Sequence, residues 1–190
     1  MPRAGLTEGR VVAEAELVAD EAGLSKVTLA ALAGRLGVRQ PSLYKHIESM
    51  AGLHRSISIR AKKELADVLA RAAVGRSRRD AIQSMSHAYR TWALAHPGRY
   101  EALQHAPAKG DEEDEAVSDA LVALFADCLA GYDLGTDDAI DAVRALRSAL
   151  HGFVTLETGG GFGLPADIDH SFDRMVSGLV IVFAGWTERP

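Results

Sequence analysis

The chain has 190 residues, enough for one or two compact domains, and 47% of them are apolar, enough to build buried cores. Its single cysteine, Cys128, excludes an internal disulfide framework. Because no apolar stretch reaches about 18 residues, we expect no membrane span, no signal peptide and a cytoplasmic location. The net charge of −5 is uneven: residues 1–63 hold ten Lys/Arg and six Asp/Glu (+4), and the remainder holds eleven and twenty (−9). Only the N-terminal third therefore has the sign of charge that suits nucleic acid.

The first predicted helix runs from about Thr7 to Gly23. Apolar residues recur there at Val11, Ala15 and Val18, a spacing that forms one buried face. Thr7 can cap the start of this helix and Gly23 can end it. We expect the helix to pack over the two that follow, because two short helices alone bury too little surface to stay folded.

The most informative segment is residues 28–47, which read TLAALAGRLGVRQPSLYKHI and predict two short helices joined by a tight turn. Thr28 is a favourable N-cap, Gly37 suits a left-handed helix end, and Pro41 falls in the first turn of the second helix. Spacings of three and four residues predict one buried stripe on the first helix, made of Leu29, Leu32, Ala33 and Leu36.

The second helix of this pair is expected to reach Ile47, with Leu43 and Ile47 facing inward. That orientation leaves a polar outer surface formed by Arg39, Gln40, Ser42, Tyr44, Lys45 and His46. A short helix with such a surface, held by a preceding helix and a turn, is typical of a helix-turn-helix whose second helix enters a DNA groove.

The rest of the chain is also predicted to be helical. One helix should run from Ser49 to about Val74 and another over 79–96, followed by a short piece at 100–105. The acidic run 111–115 is expected to open a helix that ends near Gly131, since negative charge is favourable at a helix N-terminus. No segment alternates apolar and polar residues as a half-buried strand would. The predicted fold class is therefore all-α.

The last two predicted helices, about 137–157 and 168–186, are unusually apolar, the second nearly all round. A helix of that kind must be buried on most sides, which favours packing against a second subunit over an overly apolar monomer core. The residues expected in this dimer interface are Val143, Leu146, Leu150, Phe153, Phe172, Met175, Leu179, Val182, Phe183 and Trp186.

Residues 7–53 resemble the DNA-binding domain of the TetR family of bacterial transcriptional regulators. The resemblance rests on the 28–47 segment, the helix before it and Leu53 after it. A shorter resemblance, His151-Gly152-Phe153 followed by a glycine-containing turn, points to a subgroup of that family. The family implies a helix-turn-helix DNA-binding domain over 1–48 and a helical ligand-binding and dimerisation domain over 49–190. It also implies a ligand-responsive repressor that binds a (pseudo)palindromic double-stranded DNA operator as a homodimer.

Within the DNA-binding surface, side-chain chemistry predicts two kinds of contact. Thr28 and Tyr44 are expected to hydrogen-bond phosphates, and Lys45 and His46 to add positive or donor character there. Arg39 and Gln40 have the length and donors to reach base edges, and Ser42 can contact either backbone or base. A lysine common in the family at the start of the next helix is Met50 here, and a common aromatic is Ile47, so one phosphate contact is expected to be lost.

The family resemblance also implies a cavity for a small-molecule effector in the C-terminal domain. Candidate lining residues are Tyr89, Trp92, His96, Leu103, Phe125 and Cys128, although each also fits an ordinary core position.

Other chemistry is not indicated by the sequence. The seven histidines lack metal-ligand spacing, and the glycine-rich turn is not followed by the Lys-Ser/Thr of a phosphate loop. We therefore expect no metal, no cofactor, no catalytic residues and no enzyme activity. The competing interpretation is a helical partner-binding module, or an enzyme on a helical scaffold, that does not bind DNA sequence-specifically.

Overall fold

The computed structural model describes residues 5–186, and these residues are helical with no strand. The all-α prediction is confirmed. The helices are α1 (Glu8–Ala22), α2 (Leu29–Leu36), α3 (Gln40–Leu43), α4 (Met50–Ala73), α5 (Arg78–Ala95), α6 (Pro97–Leu103), α7 (Glu112–Leu129), α8 (Thr136–Thr158) and α9 (Ile168–Trp186). None of the helices in this described range is long and apolar enough to cross a membrane.

The chain divides into two compact units that do not follow its linear order. Unit 1 contains the residues up to Lys63 together with Ala95–Val117, and unit 2 contains Glu64–Leu94 together with the described residues from Ser118 onwards. The predicted boundary after residue 48 is therefore not the boundary between the compact units. The first half of α4, all of α6 and the start of α7 belong to the same unit as the helix-turn-helix.

Local signals at the helix ends of unit 1 behave as the sequence predicts. The Thr7 hydroxyl accepts a hydrogen bond from the Arg10 amide at 3.3 Å, and Gly23 ends α1 with φ of 98°. The Ser49 hydroxyl accepts from the Gly52 amide at 2.9 Å at the start of α4. Each cap satisfies a backbone group that the helix itself leaves without a partner.

The core of unit 1 is built around α1, which contributes Val11, Ala15 and Ala19 to it. Helix α6 packs against α1 so closely that a Cβ atom at Gly98 would lie 2.0 Å from the Ala19 carbonyl oxygen. Only glycine permits this approach of two backbones, because any side chain would overlap the carbonyl.

Ion pairs on α1 add contacts to three neighbouring helices. Glu14 and Glu21 pair with Arg35 of α2. Glu16 accepts a hydrogen bond from Arg60 of α4 at 2.8 Å. Asp20 accepts from the Arg99 side chain of α6 at 2.7 Å and from the Arg99 amide at 2.9 Å. Each partly exposed pair contributes only about 0–1 kcal/mol, so the pairs orient helices that the apolar core holds together.

Unit 2 has its own core, in which aromatic rings from two helices meet an arginine from a third. The Arg90 guanidinium lies 4.9 Å from the centre of the Phe172 ring and 5.6 Å from that of Phe153. It also donates to Glu157 at 2.6 Å and pairs with Asp169 at 2.7 Å. These contacts join α5 to the end of α8 and the start of α9.

Half of the residues predicted for the dimer interface lie inside this core. Five of the ten residues are fully or almost fully buried within unit 2 itself: Val143, Leu146, Leu150, Phe172 and Phe183. The other five, Phe153, Met175, Leu179, Val182 and Trp186, are partly or largely exposed. Helix α9 carries two apolar stripes: Phe172 and Phe183 belong to the buried one, whereas Met175, Leu179 and Val182 belong to the more exposed one.

The close approach at Gly98 generates the first prediction. Replacing Gly98 with alanine should lower the free energy of unfolding by about 3 kcal/mol, because α6 must move away from α1. In a chain of this size that corresponds to a fall in melting temperature of roughly 6–12 °C.

Gly34→Ala is the matched control, since Gly34 lies in α2 and a Cβ atom there would meet nothing within 4 Å. Alanine there should raise stability by about 0.5–1 kcal/mol through helix propensity. Thermal unfolding followed by circular dichroism measures both variants. Equal melting temperatures for G98A and the wild type would show that α6 does not require glycine at this position.

Candidate nucleic-acid interface

The helix-turn-helix is formed by α2, α3 and the turn between them. The Thr28 hydroxyl accepts a hydrogen bond from the Ala31 amide at 3.2 Å and so caps α2. Gly37 ends α2 in the left-handed conformation, with φ of 66° and ψ of 34°. Leu43 and Ile47 are buried, which fixes α3 on the core of unit 1.

Helix α3 is shorter than the sequence predicts. It ends at Leu43, and the chain continues to His46 as a hydrogen-bonded turn. The Ile47 amide still donates to the Leu43 carbonyl at 3.0 Å, so the inward position of Ile47 is kept. Ser49 caps α4 only two residues later, which leaves no room for another helical turn.

All seven residues predicted to contact DNA reach the surface of unit 1. Arg39, Gln40, Tyr44, Lys45 and Thr28 are exposed, and Ser42 and His46 are half-buried. Tyr44 is 58% exposed, which is unusual for a large aromatic residue. An exposed tyrosine among donors is suited to a phosphate oxygen.

The structure brings only three of these residues into one groove. Tyr44, Lys45 and His46 line a groove of about 550 Å³ together with Arg55 and Ser56 of α4. The other four predicted residues do not line this groove. Glu8 and Glu48 line the same groove, and the predicted base-reading residues Arg39 and Gln40 lie at the start of α3.

Arg55 and Ser56 were missed by the sequence analysis. Arg55 pairs with Asp111 and, at 3.2 Å, with Glu113. Its guanidinium holds the pKa of Asp111 at about 2, below the ordinary range of an aspartate. The partners are more than 50 residues away along the chain, so no local pattern reveals them. Met50, which replaces a lysine common in the family, packs against the core of unit 1 instead.

A second cavity of unit 1, of about 660 Å³, lies beside the start of α4. Its walls include Leu24, His54, Ser58 and Ala102. The Nε2 atom of His54 and the Oγ atom of Ser58 are buried, without a hydrogen-bond partner among the described residues. Burial, and then the charge of His105, lower the pKa of His54, while Glu101 opposes the shift.

The six residues predicted to line an effector cavity do not form one set. Tyr89, Trp92, Phe125 and Cys128 belong to unit 2, whereas His96 and Leu103 belong to unit 1. None of the six lines the two cavities above or a third, of about 210 Å³, beside Phe162.

Those in unit 2 make core contacts instead. The Tyr89 and Phe125 rings pack edge to face at 6.2 Å. The Cys128 thiol contacts the Met85 sulfur at 3.2 Å, and burial raises its pKa to about 11. The Trp92 indole N–H donates to Glu64 at 3.2 Å. Their apolar spacing reflects core packing in this structure.

A capped helix pair with a polar, exposed second helix defines a helix-turn-helix DNA-binding protein. The family described as "Tetracyclin repressor-like, C-terminal domain" matches residues 82–179. The chain belongs to the TetR family of transcriptional regulators, and it is a DNA-binding regulator.

Two relatives are similar over nearly the whole chain. Rv0681 of Mycobacterium tuberculosis, an uncharacterized HTH-type transcriptional regulator, is 37% identical and is matched over 98% of this chain and 84% of its own length. YobS of Bacillus subtilis, another uncharacterized HTH-type transcriptional regulator, is 37% identical over 95% of this chain and 96% of its own. The fold is also that of BioQ solved with its double-stranded DNA operator, with a TM-score of 0.61, 20% identity and coverage of 93% and 99%.

The lowered pKa of His54 predicts a pH dependence. In the unfolded chain a histidine has a pKa of about 6.5. Just below that pH, the unfolded state therefore binds a proton at His54 more readily than the folded state does. The stability that His54 contributes is therefore present above about pH 6.5 and is lost as the pH falls towards the lower folded pKa. His54→Gln should remove this part of the pH dependence.

The measurement is the melting temperature of the wild type and of H54Q at pH 7.5 and pH 5.5. We expect the fall on acidification to be smaller in H54Q. An equal fall in the two proteins would show that His54 does not titrate against folding in this range.

Proposed function

We propose that this regulator is a ligand-responsive repressor that binds a (pseudo)palindromic operator as a homodimer. The observation that carries the proposal is the set of seven polar residues at the surface of the helix-turn-helix, five of them exposed, above a buried anchor of Leu43 and Ile47. BioQ, which has the same fold, was solved with its DNA operator, which supports DNA as the partner of this surface.

The proposed contacts divide between phosphates and bases. The Thr28 hydroxyl accepts from the Ala31 amide, so its own hydrogen remains available to donate to a phosphate. Tyr44, Lys45 and His46 share one groove, which suits a run of backbone oxygens. Arg39 and Gln40, at the start of α3, are proposed to reach base edges, and Ser42 to contact either.

This division predicts different losses for two variants. Arg39→Ala should reduce discrimination between a specific and a scrambled duplex by about 1–3 kcal/mol, because it removes a base contact. Tyr44→Ala should weaken binding to both duplexes by a similar factor, because a phosphate contact carries no sequence information. Fluorescence anisotropy measures both, with a specific duplex selected by the wild type from a randomised pool.

Lys109→Ala is the control for a lost exposed side chain, since Lys109 lies outside the helix-turn-helix and its groove. It should bind both duplexes as the wild type does. If R39A and Y44A each lose the same factor on both duplexes, the proposed division between bases and phosphates is wrong.

The dimer is proposed to form through the outward faces of α8 and α9. Val182 and Ile181 are large apolar residues exposed on α9, and Leu156 is exposed on α8. Gly178 and Gly185 lie near the two α9 residues around the helix, which allows another helix to approach closely. Such a surface is what an isologous interface requires, and a two-fold pair would set two recognition helices about 34–36 Å apart or at a related spacing.

Ligand response is proposed to act as a population shift. An effector that binds more tightly to a dimer whose recognition helices no longer match successive grooves would lower the affinity for the operator. By linkage, operator DNA would lower the affinity for that effector by the same factor.

The dimer proposal predicts that Val182→Glu dissociates the protein. A buried carboxylate without a partner would be strongly unfavourable in the interface, so the variant should be monomeric at micromolar concentration and bind operator weakly. Sedimentation velocity measures the oligomeric state.

Val74→Glu is the matched control, because Val74 is 72% exposed in the turn after α4 and Val182 is 47% exposed. V74E should sediment as the wild type does. A dimeric V182E would show that the interface lies elsewhere. A monomeric wild type at the same concentration would show that the proposed dimer does not form.

A further inference from the structure

The cavity of about 660 Å³ in unit 1 is built by the segments that flank the helix-turn-helix on both sides. Leu24 and Ser25 come from the short turn just before α2. Gly52 and Ser58 come from the first turns of α4, which follows α3. The remaining wall is formed by the end of α6 and the segment that leads into α7, including Ala106. A molecule in this cavity would therefore touch the chain immediately before and after the DNA-reading helices.

The walls are mostly small and apolar. Ala51, Ala102, Ala106 and Ala108 line the cavity together with Leu24. Alanine side chains leave room that larger residues would fill, and they offer no hydrogen bonds. This part of the cavity suits a compact apolar body, because burying such a body removes apolar surface from water.

Polar groups of the cavity are of two kinds, paired and unpaired. Asp114 is held by Lys62 at 2.6 Å and Asp111 by Arg55, so these carboxylates are already neutralised. Glu101 also lines the cavity, and it forms no ion pair among the residues that the structure describes. The Ser58 hydroxyl is buried, with the residue only 5% exposed, and lacks a hydrogen-bond partner within residues 5–186. The site thus offers one negative charge at its open side, on the exposed Glu101, and two buried atoms without a partner among the described residues, the Ser58 hydroxyl and Nε2 of His54.

We propose that this cavity binds a small amphipathic amine, with its apolar body against the alanine wall, its ammonium group at Glu101 and a hydrogen bond to Ser58. An anion would meet the unpaired carboxylate of Glu101, and a purely apolar molecule would leave Ser58 and His54 without a hydrogen-bond partner. Binding of the amine stands on the cavity alone. Its effect on DNA rests on the proposed function.

The same site can change DNA binding because Arg55 lines both this cavity and the groove that contains Tyr44 and Lys45. Arg55 is tied to Asp111, another wall residue of the cavity. A ligand that repositions this pair would alter the charge presented next to the phosphate contacts. The change in operator affinity would be set by how much more tightly the ligand binds one arrangement of the Arg55–Asp111 pair than the other.

Three isosteric probes test the ligand class by isothermal titration calorimetry on the full chain without DNA: phenylbutylamine, phenylbutanol and phenylbutanoate. We expect the amine to bind at least about fivefold more tightly than the alcohol, and the carboxylate to bind most weakly. Glu101→Gln should abolish the preference for the amine. Glu112→Gln, an exposed carboxylate that does not line the cavity, should retain it. Equal affinities for the three probes, or tightest binding of the carboxylate, would overturn the proposal.

Two further variants locate the site. Ala106→Trp should eliminate amine binding by filling the cavity, whereas Ala126→Trp, at an exposed position of α7 in unit 2, should not. Ser58→Ala should lower amine affinity about fivefold without lowering the melting temperature, because its hydroxyl has no partner to lose among the described residues. Unchanged amine binding in A106W would overturn the assignment to this cavity. A fall in melting temperature with unchanged affinity in S58A would overturn the role of Ser58.

The coupling to DNA is measured separately by anisotropy with a selected duplex, with and without saturating amine. A change in duplex affinity that disappears in E101Q is the expected result. Amine binding with an unchanged duplex affinity would overturn the coupling. If the protein fails to bind any duplex in the absence of amine, the proposed function fails, whereas the calorimetric result still decides whether the cavity binds an amine.

Discussion

The arrangement of unit 1 depends on how closely α6 approaches α1. At Gly98 the two backbones come so near that a single methyl group would overlap the Ala19 carbonyl. This contact draws a segment that begins near residue 95 into the core that holds the helix-turn-helix. The pair of Asp20 with Arg99, one residue further along each helix, gives the approach its orientation. The segment between α6 and α7 that forms part of the 660 Å³ cavity follows from this packing.

Charged residues reinforce the same arrangement on the other side of the unit. Lys62 and Asp114 are both buried and joined at 2.6 Å, and Lys62 also donates to the His105 carbonyl at 3.3 Å. Breaking such a pair would leave a buried charge without compensation, which is far more costly than losing an exposed pair. The first half of α4 is therefore held to the start of α7 by a contact that does not tolerate loss of one partner. Arg55, seven residues earlier on α4, extends these contacts to the edge of the proposed DNA-binding surface.

The sequence predicts local features of this protein well and distant ones poorly. The caps Thr7, Thr28 and Ser49 are predictable because a cap depends on residues only three positions away. The partner of Arg55 is not, because 56 residues separate it from Asp111. On α9 the spacing identifies an apolar helix but not which stripe faces inward, since both stripes are apolar and only packing against α8 and α5 decides. The effector-cavity residues are hard to assign for a similar reason. Apolar side chains such as Tyr89 and Phe125, which pack against each other here, would fit a cavity wall equally well.

The division of the chain into units also limits how this regulator can exchange parts with its relatives. The chain passes from one unit to the other three times, each time inside a helix: between residues 63 and 64 of α4, 94 and 95 of α5, and 117 and 118 of α7. A single genetic crossover after the helix-turn-helix would combine α1 of one parent protein with α6 of the other. The recombinant would have to match at Gly98 and Ala19 to fold. Substitutions on the proposed DNA-binding surface are therefore a more accessible route to a new operator than exchange of the whole helix-turn-helix.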